Sequence, residues 1–397
     1  MTNILLSAQG TLGDLVPILR IGSILQAGGD SATLVTHSAY EKVVREAGLE
    51  FAPSDTREKF EQYIADLALC ETPRGNIEFQ KRHVLPMAER EVALLSERCV
   101  SPDTILIGSH LLMLGPQLVA EKTGLPLIRV FWAAVTVARF ALFEIMVGEV
   151  LAPEIDAIRT RMGLPKVSDW AAWARYPQRN IGAWPDWFAA PAPDWPQGLD
   201  LVLSGFLSRD ELKEDPISAE LDEFLQDGAP PVLITGGTGT YIQKGFYAAC
   251  VEGCRRAGRR GILVTRFRES IPDPLPEQIK WFPHLPFVSL MPRLAGVIHH
   301  GGMGTLALAL RFGTPQLILA MGSDRPDNAQ RLQMLGVAEY LPPAQWKPEL
   351  VAEALNRLVD SPTVHARCRE TALRIHADDP AAAIKNVVRS LAPKVRI

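Results

Sequence analysis

The residues best suited to chemistry lie between His299 and Asn328, in the stretch HHGGMGTLALALRFGTPQLILAMGSDRPDN. An apolar run at residues 294–298 precedes this stretch and is typical of a buried parallel strand, and a helical pattern follows. A glycine-rich turn between a strand and a helix directs unpaired backbone N–H groups toward one point, where a phosphate can bind. The spacing therefore predicts an anion site at this turn.

Four residues of the turn favour this use, because glycines let the backbone approach a ligand closely and a hydroxyl at the helix start adds a donor. They are Gly301, Gly302, Gly304 and Thr305. A second strand is predicted at residues 315–320 and leads into a polar cluster that contains Asp324 and Arg325. This cluster suits hydroxyl groups that lie beside the phosphate.

The segment resembles the donor-binding signature of the UDP-glycosyltransferase superfamily, which in bacteria reads HHGGxGT…DQxxNA. The resemblance implies that His300 contacts the diphosphate of a nucleotide-sugar donor, while His299 packs behind it. It also implies that Thr238, in an earlier glycine-rich turn at residues 236–239, contacts the phosphates from the other side. Asp324 would then hold the donor sugar. Backbone amides and these side chains would stabilise the leaving diphosphate without a metal ion.

The nucleobase and the sugar of the donor stay open at this point. His284 and Leu285 match the aromatic-x-Pro element of the family, which holds the nucleobase, and Trp281 either stacks on the base or fills the core. Leu308 stands where members that prefer UDP often carry a glutamate for the ribose. Arg325 stands where the family has a neutral glutamine, and it pairs either with an acidic donor or with a nearby aspartate of the chain.

The first glycine turn reads SAQGTLGDLVP at residues 7–17 and lacks the GxGxxG pattern of dinucleotide-binding domains. It resembles the GxxGDxxP loop of sterol glucosyltransferases, antibiotic glycosyltransferases and rhamnolipid-type rhamnosyltransferases. In that class an acid at the position of Asp14 is proposed to deprotonate the acceptor hydroxyl, which requires a base within about 3 Å of the attacking oxygen. Asp14 could instead cap the following helix, or do both. His37, after the second predicted strand, is an alternative base or a loop-stabilising residue.

The resemblance to the rhamnosyltransferases extends over most of the chain, including the segments HLLMLGPQLVAEKTGLPLI and WPDWFAAPAPDWP. Aromatic side chains from these regions could form an apolar pocket for the acceptor, although each of them could equally fill the core of the first domain. The residues assigned to this acceptor pocket are Gly13, His37, Trp132, Phe140 and Trp187.

The composition excludes several other functions. The 397 residues suffice for two domains, and 41 basic against 45 acidic residues argue against a nucleic-acid partner. The five cysteines form neither CxxC pairs nor a secreted framework, which favours a reducing cytoplasm. The most apolar region, residues 125–151, carries four charged side chains, so no transmembrane segment is expected. No DxD metal motif is recognisable, and neither a metal nor another cofactor is expected.

Short apolar runs alternate with helical patterns in both halves of the chain, which predicts an α/β fold with parallel sheets. The predicted organisation is an acceptor-binding domain at residues 1–208, a linker at 209–229, a donor-binding domain at 230–380 and a last helix at 381–397. The resemblance implies the GT-B arrangement, in which two Rossmann-like, doubly wound domains face each other across a cleft. It also implies that the last helix crosses back to the first domain.

These features together predict an inverting glycosyltransferase. It would move a hexose or deoxyhexose from a nucleoside-diphosphate sugar to a hydroxyl of an apolar or amphipathic acceptor, a natural product or a lipid. A nucleotide-sugar epimerase of the same fold is an alternative, but it would need several acidic and basic residues around the sugar. A non-catalytic auxiliary homologue is another, but its phosphate turns should have decayed. The protein is expected to be a monomer or a homodimer.

Overall fold

The computed structural model describes residues 1–109, 111–177, 179–193, 195–207, 216–239 and 244–391. Residues 209–215 of the predicted linker and 392–397 of the predicted last helix therefore lie outside the described residues. The chain divides into two compact units, of which one contains Met1–Leu207 and Asp379–Ile397 and the other contains Ser208–Asp378.

The first unit is built on a parallel sheet. Its strands are β1 (Asn3–Ser7), β2 (Ser31–Thr36), β3 (Glu50–Pro53), β4 (Thr104–Ser109), β5 (Leu127–Phe131), β6 (Arg179–Gly182) and β7 (Asp200–Leu203). In the described part of the chain they form one seven-stranded sheet in the order β3-β2-β1-β4-β5-β6-β7. The chain changes direction across the sheet between β1 and β4, and ligands of such folds bind beyond the carboxyl ends of the strands at this point.

Helices of the first unit pack against this sheet and against one another. They are α1 (Leu12–Ala27), α2 (Glu41–Glu46), α3 (Arg57–Ala65), α4 (Pro73–Phe79), α5 (Leu85–Arg98), α6 (Leu114–Thr123), α7 (Ala134–Ala138), α8 (Phe140–Ile145), α9 (Ala152–Arg161) and α10 (Trp170–Arg175). The central strands are almost continuously apolar, and Ile4, Leu5 and Leu6 of β1 are at most 1% exposed. Such strands are typical of a parallel sheet that is buried on both faces.

Helix α1 begins earlier than the sequence predicts. The apolar pattern of residues 17–27 predicts a helix that starts at Pro17, but the helix starts at Leu12 and contains Pro17 in its interior. Because proline has no N–H, the carbonyl of Gly13 receives no helical hydrogen bond. Gly13 is exposed, so water can satisfy that carbonyl. The earlier start brings Asp14 into the first turn of the helix.

The second unit repeats the same architecture. Its strands are β8 (Val232–Thr235), β9 (Gly261–Val264), β10 (Ile279–Phe282), β11 (Gly296–His299), β12 (Gln316–Leu319) and β13 (Ala338–Leu341). Among the described residues they form a six-stranded parallel sheet in the order β10-β9-β8-β11-β12-β13. The change of direction lies between β8 and β11, which pair with His299 opposite Thr235. Two glycine-rich turns therefore leave the sheet side by side at this point.

Helices of the second unit pack against its sheet through two apolar clusters. They are α11 (Ala219–Gln226), α12 (Lys244–Arg256), α13 (Phe287–Leu290), α14 (Met303–Arg311), α15 (Arg325–Met334), α16 (Pro348–Val359) and α17 (Pro362–Ala377). Cys250 and Cys254 are buried in one of these clusters, and burial raises the pKa of both thiols. They therefore serve packing.

The last helix, α18 (Pro380–Leu391), belongs to the first unit and packs against α1 and β7. The predicted α/β fold, with two parallel-sheet domains and a returning C-terminal helix, is confirmed. Three short strands were not predicted, namely β3, β6 and β13. None of the described helices is both long enough and apolar enough to cross a lipid bilayer.

Candidate functional site

The glycine turn after β11 has the local structure of an anion site. Strand β11 ends at His299, and α14 starts at Met303 with Gly302 as its N-cap residue. No side chain caps this helix, and the first helical bond runs from the N–H of Leu306 to the carbonyl of Gly302. The N–H groups of the first turn, which includes Gly304 and Thr305, therefore have no acceptor within the helix. These donors, together with the helix dipole, favour a bound phosphate.

His300 stands inside this turn and is 8% exposed. Burial lowers the pKa of His300 well below its usual range, and the neighbouring His299 and Arg325 lower it further. The imidazole is therefore neutral and offers one N–H donor and one acceptor nitrogen. Its Nδ1 is buried and has no hydrogen-bond partner among the described residues. A buried polar atom without a partner calls for a ligand or a functional role.

Two glycines make room for this ring. A side-chain carbon at Gly237, whose φ is +79°, would lie 2.9 Å from Nε2 of His300, and one at Gly302 would lie 2.5 Å from the same atom. Both distances are too short for real contacts, so any other residue at either position would displace the imidazole. Gly237 belongs to the turn after β8, and its N–H donates to the hydroxyl of Thr235. The structure thus brings the turn that contains Thr238 against His300.

His299 lies behind the turn, as the sequence predicts. It is fully buried, and its Nδ1 accepts from the N–H of Gly301 at 3.1 Å. The opposite nitrogen, Nε2, is 3.0 Å from Oε1 of Gln316 and donates to it. Burial lowers the pKa of His299 to about 4, although the bond to Gln316 opposes this shift. His299 therefore holds the turn and faces no ligand.

Asp324 and Arg325 start α15, close to the same turn. Asn328, one helical turn later, donates through Nδ2 to the carbonyl of Gly301 at 3.0 Å and to Oδ2 of Asp324 at 2.7 Å. Asn328 is fully buried and joins the turn that contains His300 to Asp324. The residue assignments from sequence missed it, although it is the asparagine of the DQxxNA signature. Ser323, before Asp324, has a φ of +52°, a conformation that is strained for a residue other than glycine.

Arg325 is 4% exposed, and its Nε donates to the carbonyl of Gly322. Of the two partners considered for it, Asp327 binds Arg331 through both carboxylate oxygens, at 2.7 and 3.3 Å. The β-carbon of Arg325 lies 3.2 Å from the place of a side-chain carbon at Gly301. The base of the buried Arg325 side chain is thus packed against the turn at Gly301.

In the first unit, Asp14 is held by the residue that precedes α1. Oδ2 of Asp14 accepts from the backbone N–H of Thr11 at 2.7 Å and from its hydroxyl at 2.9 Å. Asp14 therefore does cap the helix, and it stays half-exposed. Gly10, whose φ is +114°, packs against it so closely that a side-chain carbon there would lie 2.5 Å from Oδ2. Both donors reach the same oxygen, so Oδ1 is the one available to a ligand.

Two domain families match this chain. The glycosyltransferase family 28 N-terminal domain matches residues 4–142, which include the turn with Asp14. The erythromycin biosynthesis protein CIII-like C-terminal domain matches residues 262–391, which include the turn with His300. O-mycaminosyltylonolide 6-deoxyallosyltransferase of Streptomyces fradiae is 27% identical, and the alignment covers 94% of this chain and 94% of that protein.

Solved structures show the same fold. The glycotransferase of kitacinnamycin superposes with a TM-score of 0.77 at 20% identity and covers 99% of both chains. Glycosyltransferase VinC in complex with dTDP superposes with a TM-score of 0.70 at 18% identity, covering 98% of this chain and 99% of that chain. The two domain matches identify the chain as a glycosyltransferase, and its fold is the GT-B fold. It is an enzyme of a sugar-transferring family.

In this glycosyltransferase, the residues predicted to hold the nucleobase lie in β10 and in the segment directly after it. Trp281 is partly buried, and its Nε1 donates to the carbonyl of Thr265 at 2.9 Å. The guanidinium of Arg268 covers its ring at 5.2 Å. His284 is exposed, and Leu285 is 4% exposed and packs in the core. Trp281 and His284 thus keep exposed surface, and their role in binding the base stays a prediction.

Leu308, at the place of the family's ribose-binding glutamate, is 1% exposed and packs in the core of the second unit. The side chain at this position of the glycosyltransferase therefore points away from any ribose. The hydroxyl groups of a bound ribose must be held by other groups.

His37 occupies a supporting position in the glycosyltransferase. It is fully buried, Nε2 accepts from the N–H of Gly10 at 3.1 Å, and Nδ1 is 2.6 Å from Oδ2 of Asp55. With both nitrogens bonded inside the fold, His37 has no free atom for an acceptor hydroxyl. These contacts favour the loop-stabilising role over the role of base.

The other residues assigned to the acceptor pocket differ in exposure. Phe140 is fully buried and packs against Phe131, Phe143 and the guanidinium of Arg129, so it is a core residue in this structure. Gly13 is exposed, and Trp132 and Trp187 are half-buried. Trp187 packs edge-on against Phe206 at 5.8 Å. Gly13, Trp132 and Trp187 thus have surface for a ligand, and their role in acceptor binding stays a prediction.

The described residues contain no group of three or more His, Cys, Asp or Glu side chains that could hold a metal ion. Metal independence of the glycosyltransferase stays a prediction from the sequence.

Proposed function

We propose that this glycosyltransferase transfers a hexose or deoxyhexose, with inversion, from a nucleoside-diphosphate sugar to a hydroxyl of an apolar or amphipathic acceptor. The observation that carries the proposal is the turn around His300. A neutral buried imidazole with an unpartnered nitrogen stands beside an uncapped helix start and against a second glycine turn. This set of neutral donors suits a diphosphate, and the related VinC was solved with dTDP.

In the proposed reaction, dipoles of the protein stabilise the leaving diphosphate. The N–H groups at the start of α14, the helix dipole, His300 and Thr238 donate to the phosphate oxygens as negative charge develops on them. These groups are already oriented before the reaction, since Asn328 and His299 fix Gly301 from opposite sides. Preorganised donors of this kind need no rearrangement in the transition state. A metal ion is not required for the step.

Asp14 takes the proton in the proposed reaction. The O–H bond of the acceptor breaks, its proton moves to Oδ1 of Asp14, and the oxygen lone pair forms a bond to the anomeric carbon. The bond from that carbon to the phosphate oxygen breaks, and its electron pair leaves with the nucleoside diphosphate. Attack from the face opposite the leaving group inverts the configuration. Because a carboxylate is a weak base toward an alcohol, the proton moves late, when the oxygen is already acidic.

The acceptor class follows from the relatives and from the aromatic surface. The S. fradiae relative acts on a tylonolide, by its name, and Trp132 and Trp187 offer half-buried rings in the first unit of this chain. We assign an apolar or amphipathic natural product or lipid as acceptor on this basis. A cytoplasmic location and a monomeric or homodimeric state are the corresponding expectations for the protein.

A thermal-shift screen with UDP, dTDP, GDP and ADP tests the donor half of the proposal. The preferred nucleotide should raise the melting temperature by mass action, and the His300→Ala variant should lose most of that shift. If no nucleoside diphosphate stabilises the protein, the donor assignment is wrong. Incubation with the matching nucleotide sugar alone then separates transfer from isomerisation: a transferase hydrolyses it slowly, whereas conversion to an isomeric nucleotide sugar would show an epimerase.

A further inference from the structure

A buried His–Asp pair lies beneath the first glycine turn, and the proposed reaction does not use it. Asp55 is 6% exposed and lies in the segment after β3, and His37 follows β2. Strands β2 and β3 pair with Thr36 opposite Pro53, so the two side chains leave the sheet side by side. Their ring nitrogen and carboxylate oxygen are 2.6 Å apart, and Ser38 donates its N–H to the other carboxylate oxygen at 2.7 Å.

The hydrogen bonds define the tautomer of His37. The N–H of Gly10 can only donate, so Nε2 of His37 must be the acceptor and Nδ1 must carry the hydrogen. Nδ1–H then donates to Asp55, whose carboxylate can accept it. Burial raises the pKa of Asp55, but the hydrogen bonds from His37 and Ser38 outweigh burial, and the pKa is lowered overall. The ionised carboxylate thus keeps Nε2 available for Gly10.

Gly10 connects this pair to Asp14. Its N–H binds His37 and its carbonyl accepts from the hydroxyl of Tyr40 at 3.1 Å, so both polar groups of Gly10 are fixed. The same residue packs against the carboxylate of Asp14, and the next residue, Thr11, donates twice to Oδ2. The direction in which Oδ1 points therefore depends on the position of Gly10.

The surroundings of His37 are otherwise aromatic. Phe60 and Tyr63 of α3 pack on the ring at 5.1 and 4.6 Å between centroids, and Tyr40 lies at 6.1 Å. The buried carboxyl of Glu91 on α5 faces it from a greater distance and binds the hydroxyl of Ser7. The ring is thus enclosed by aromatic side chains, and its hydrogen bonds to Gly10 and Asp55 define its orientation.

We propose that His37 and Asp55 are positioning residues for catalysis: they hold Gly10 and, through it, aim the free oxygen of Asp14 at the acceptor. This inference rests on the proposed role of Asp14 as the base. Mutation of residues that fix the orientation of a reacting group through hydrogen bonds typically lowers activity by about 10- to 100-fold.

Two amide variants of His37 separate positioning from stability. In His37→Gln the side-chain oxygen reaches the place of Nε2 and can accept from Gly10, but Asp55 loses its donor. In His37→Asn the amide reaches the place of Nδ1 and can donate to Asp55, but Gly10 loses its acceptor. A buried carboxylate without its donor costs more stability than a buried N–H without its acceptor. His37→Gln should therefore melt lower, whereas His37→Asn should turn over more slowly.

The readout is hydrolysis of UDP-glucose or dTDP-glucose, in which water is the acceptor. We expect kcat to fall about tenfold or more in His37→Asn and less than about threefold in His37→Gln, with the affinity for UDP or dTDP unchanged in both. Equal kcat values in the two variants, or kcat values that follow the melting temperatures, would overturn the proposal.

A double-variant cycle with Asp14→Asn tests whether His37 acts through Asp14. If it does, adding His37→Asn to Asp14→Asn should change kcat by less than about twofold, because the group it positions is already absent. A second full tenfold loss would show that His37 acts by another route and would overturn the inference. The single variant Asp14→Asn distinguishes the two proposals. Full activity of this variant would show that Asp14 is not the base, independently of the results for the His37 variants.

Discussion

In the first unit the imidazole of His37 lies behind the glycine turn and both of its nitrogens have partners. In the second unit His300 stands within the turn, and its Nδ1 has no partner in the described part of the chain. The side chain that faces outward beside the first turn is instead Asp14, and no donor among the described residues reaches its Oδ1. In the proposed reaction, the first turn aims a charged base and the second surrounds an anion with neutral donors.

The difference follows from what each turn must stabilise. A base must be ionised before the reaction, so a carboxylate near the surface with two donors on one oxygen is suitable. A diphosphate already carries its charge, and backbone N–H groups with a neutral ring can bind it without adding a buried counter-charge. In both turns a glycine with positive φ makes room for the functional side chain, Gly10 for Asp14 and Gly237 for His300.

The largest effect should come from Asp14→Asn, which keeps the shape of the side chain but removes the base. Turnover should fall by a factor of about 10² or more, since general-base catalysis contributes typically 10²–10⁴. Nucleotide affinity, measured by calorimetry, should stay the same, because the donor turn lies in the other unit. Full turnover in this variant would assign the proton transfer to another group.

His300→Ala should weaken nucleotide binding, which Asp14→Asn leaves unchanged. The loss of one hydrogen bond to a charged phosphate costs about 1.5–3 kcal/mol, which corresponds to roughly 10- to 100-fold weaker binding of the nucleoside diphosphate. His365→Ala is a matched control, because His365 is a histidine of the same unit at the start of α17, and its ring binds the carbonyl of Val359 at the end of α16. If both variants bind nucleotide as the wild type does, the phosphate is not held at this turn.

The buried histidines of the second unit should make the fold sensitive to acid. Burial lowers the pKa of His299 from 6.5 to about 4, so between these values the unfolded chain binds a proton that the native state does not. Stability is therefore lost as the pH falls through this window. From pH 7 to pH 5 the loss should be about 2 kcal/mol from this residue.

Chemical denaturation at several pH values measures this loss, and His299→Gln should reduce it. His376→Gln, at an exposed position, serves as control and should leave the pH dependence as it is. An unfolding free energy that does not change between pH 7 and pH 5 would contradict the buried, neutral state of His299.

The smallest effects should come from glycine substitutions that sharpen the comparison of the turns. Gly10→Ala should lower turnover about tenfold by displacing Asp14, and Gly237→Ala should weaken nucleotide binding to a similar degree by displacing His300. Gly258→Ala is the control for backbone strain, because Gly258 also has positive φ, +66°, but its side-chain carbon would meet no atom within 4 Å. That variant should lose only about 1 kcal/mol of stability. If Gly10→Ala and Gly237→Ala change turnover and nucleotide binding in the same way, the two turns do not have separate roles.

Much of this arrangement could be predicted from sequence, because local patterns determine it. The apolar runs at residues 31–36 and 232–235 predict strands, and β2 and β8 have the same bounds. The spacing of the glycines around His300 indicates an anion site. The relation of His37 to Asp55 could not be predicted, since it depends on the pairing of β2 with β3. Strand β3 reads EFAP, and a four-residue strand that ends in proline at a sheet edge gives little periodicity.

Other features were hidden for related reasons. The assignment of Phe140 to the acceptor pocket used its residue type, but the burial of an aromatic ring is decided by tertiary packing, here around Arg129. Asn328 was part of the motif that gave the family resemblance, yet its bonds to Gly301 and Asp324 join residues from two loops and appear only in the folded chain.

A crystal structure with the preferred nucleoside diphosphate bound tests the central claim most directly. In that structure we expect phosphate oxygens within hydrogen-bond distance of the N–H groups at the start of α14 and of the imidazole of His300. A diphosphate bound away from the residues His300 to Thr305 would contradict it.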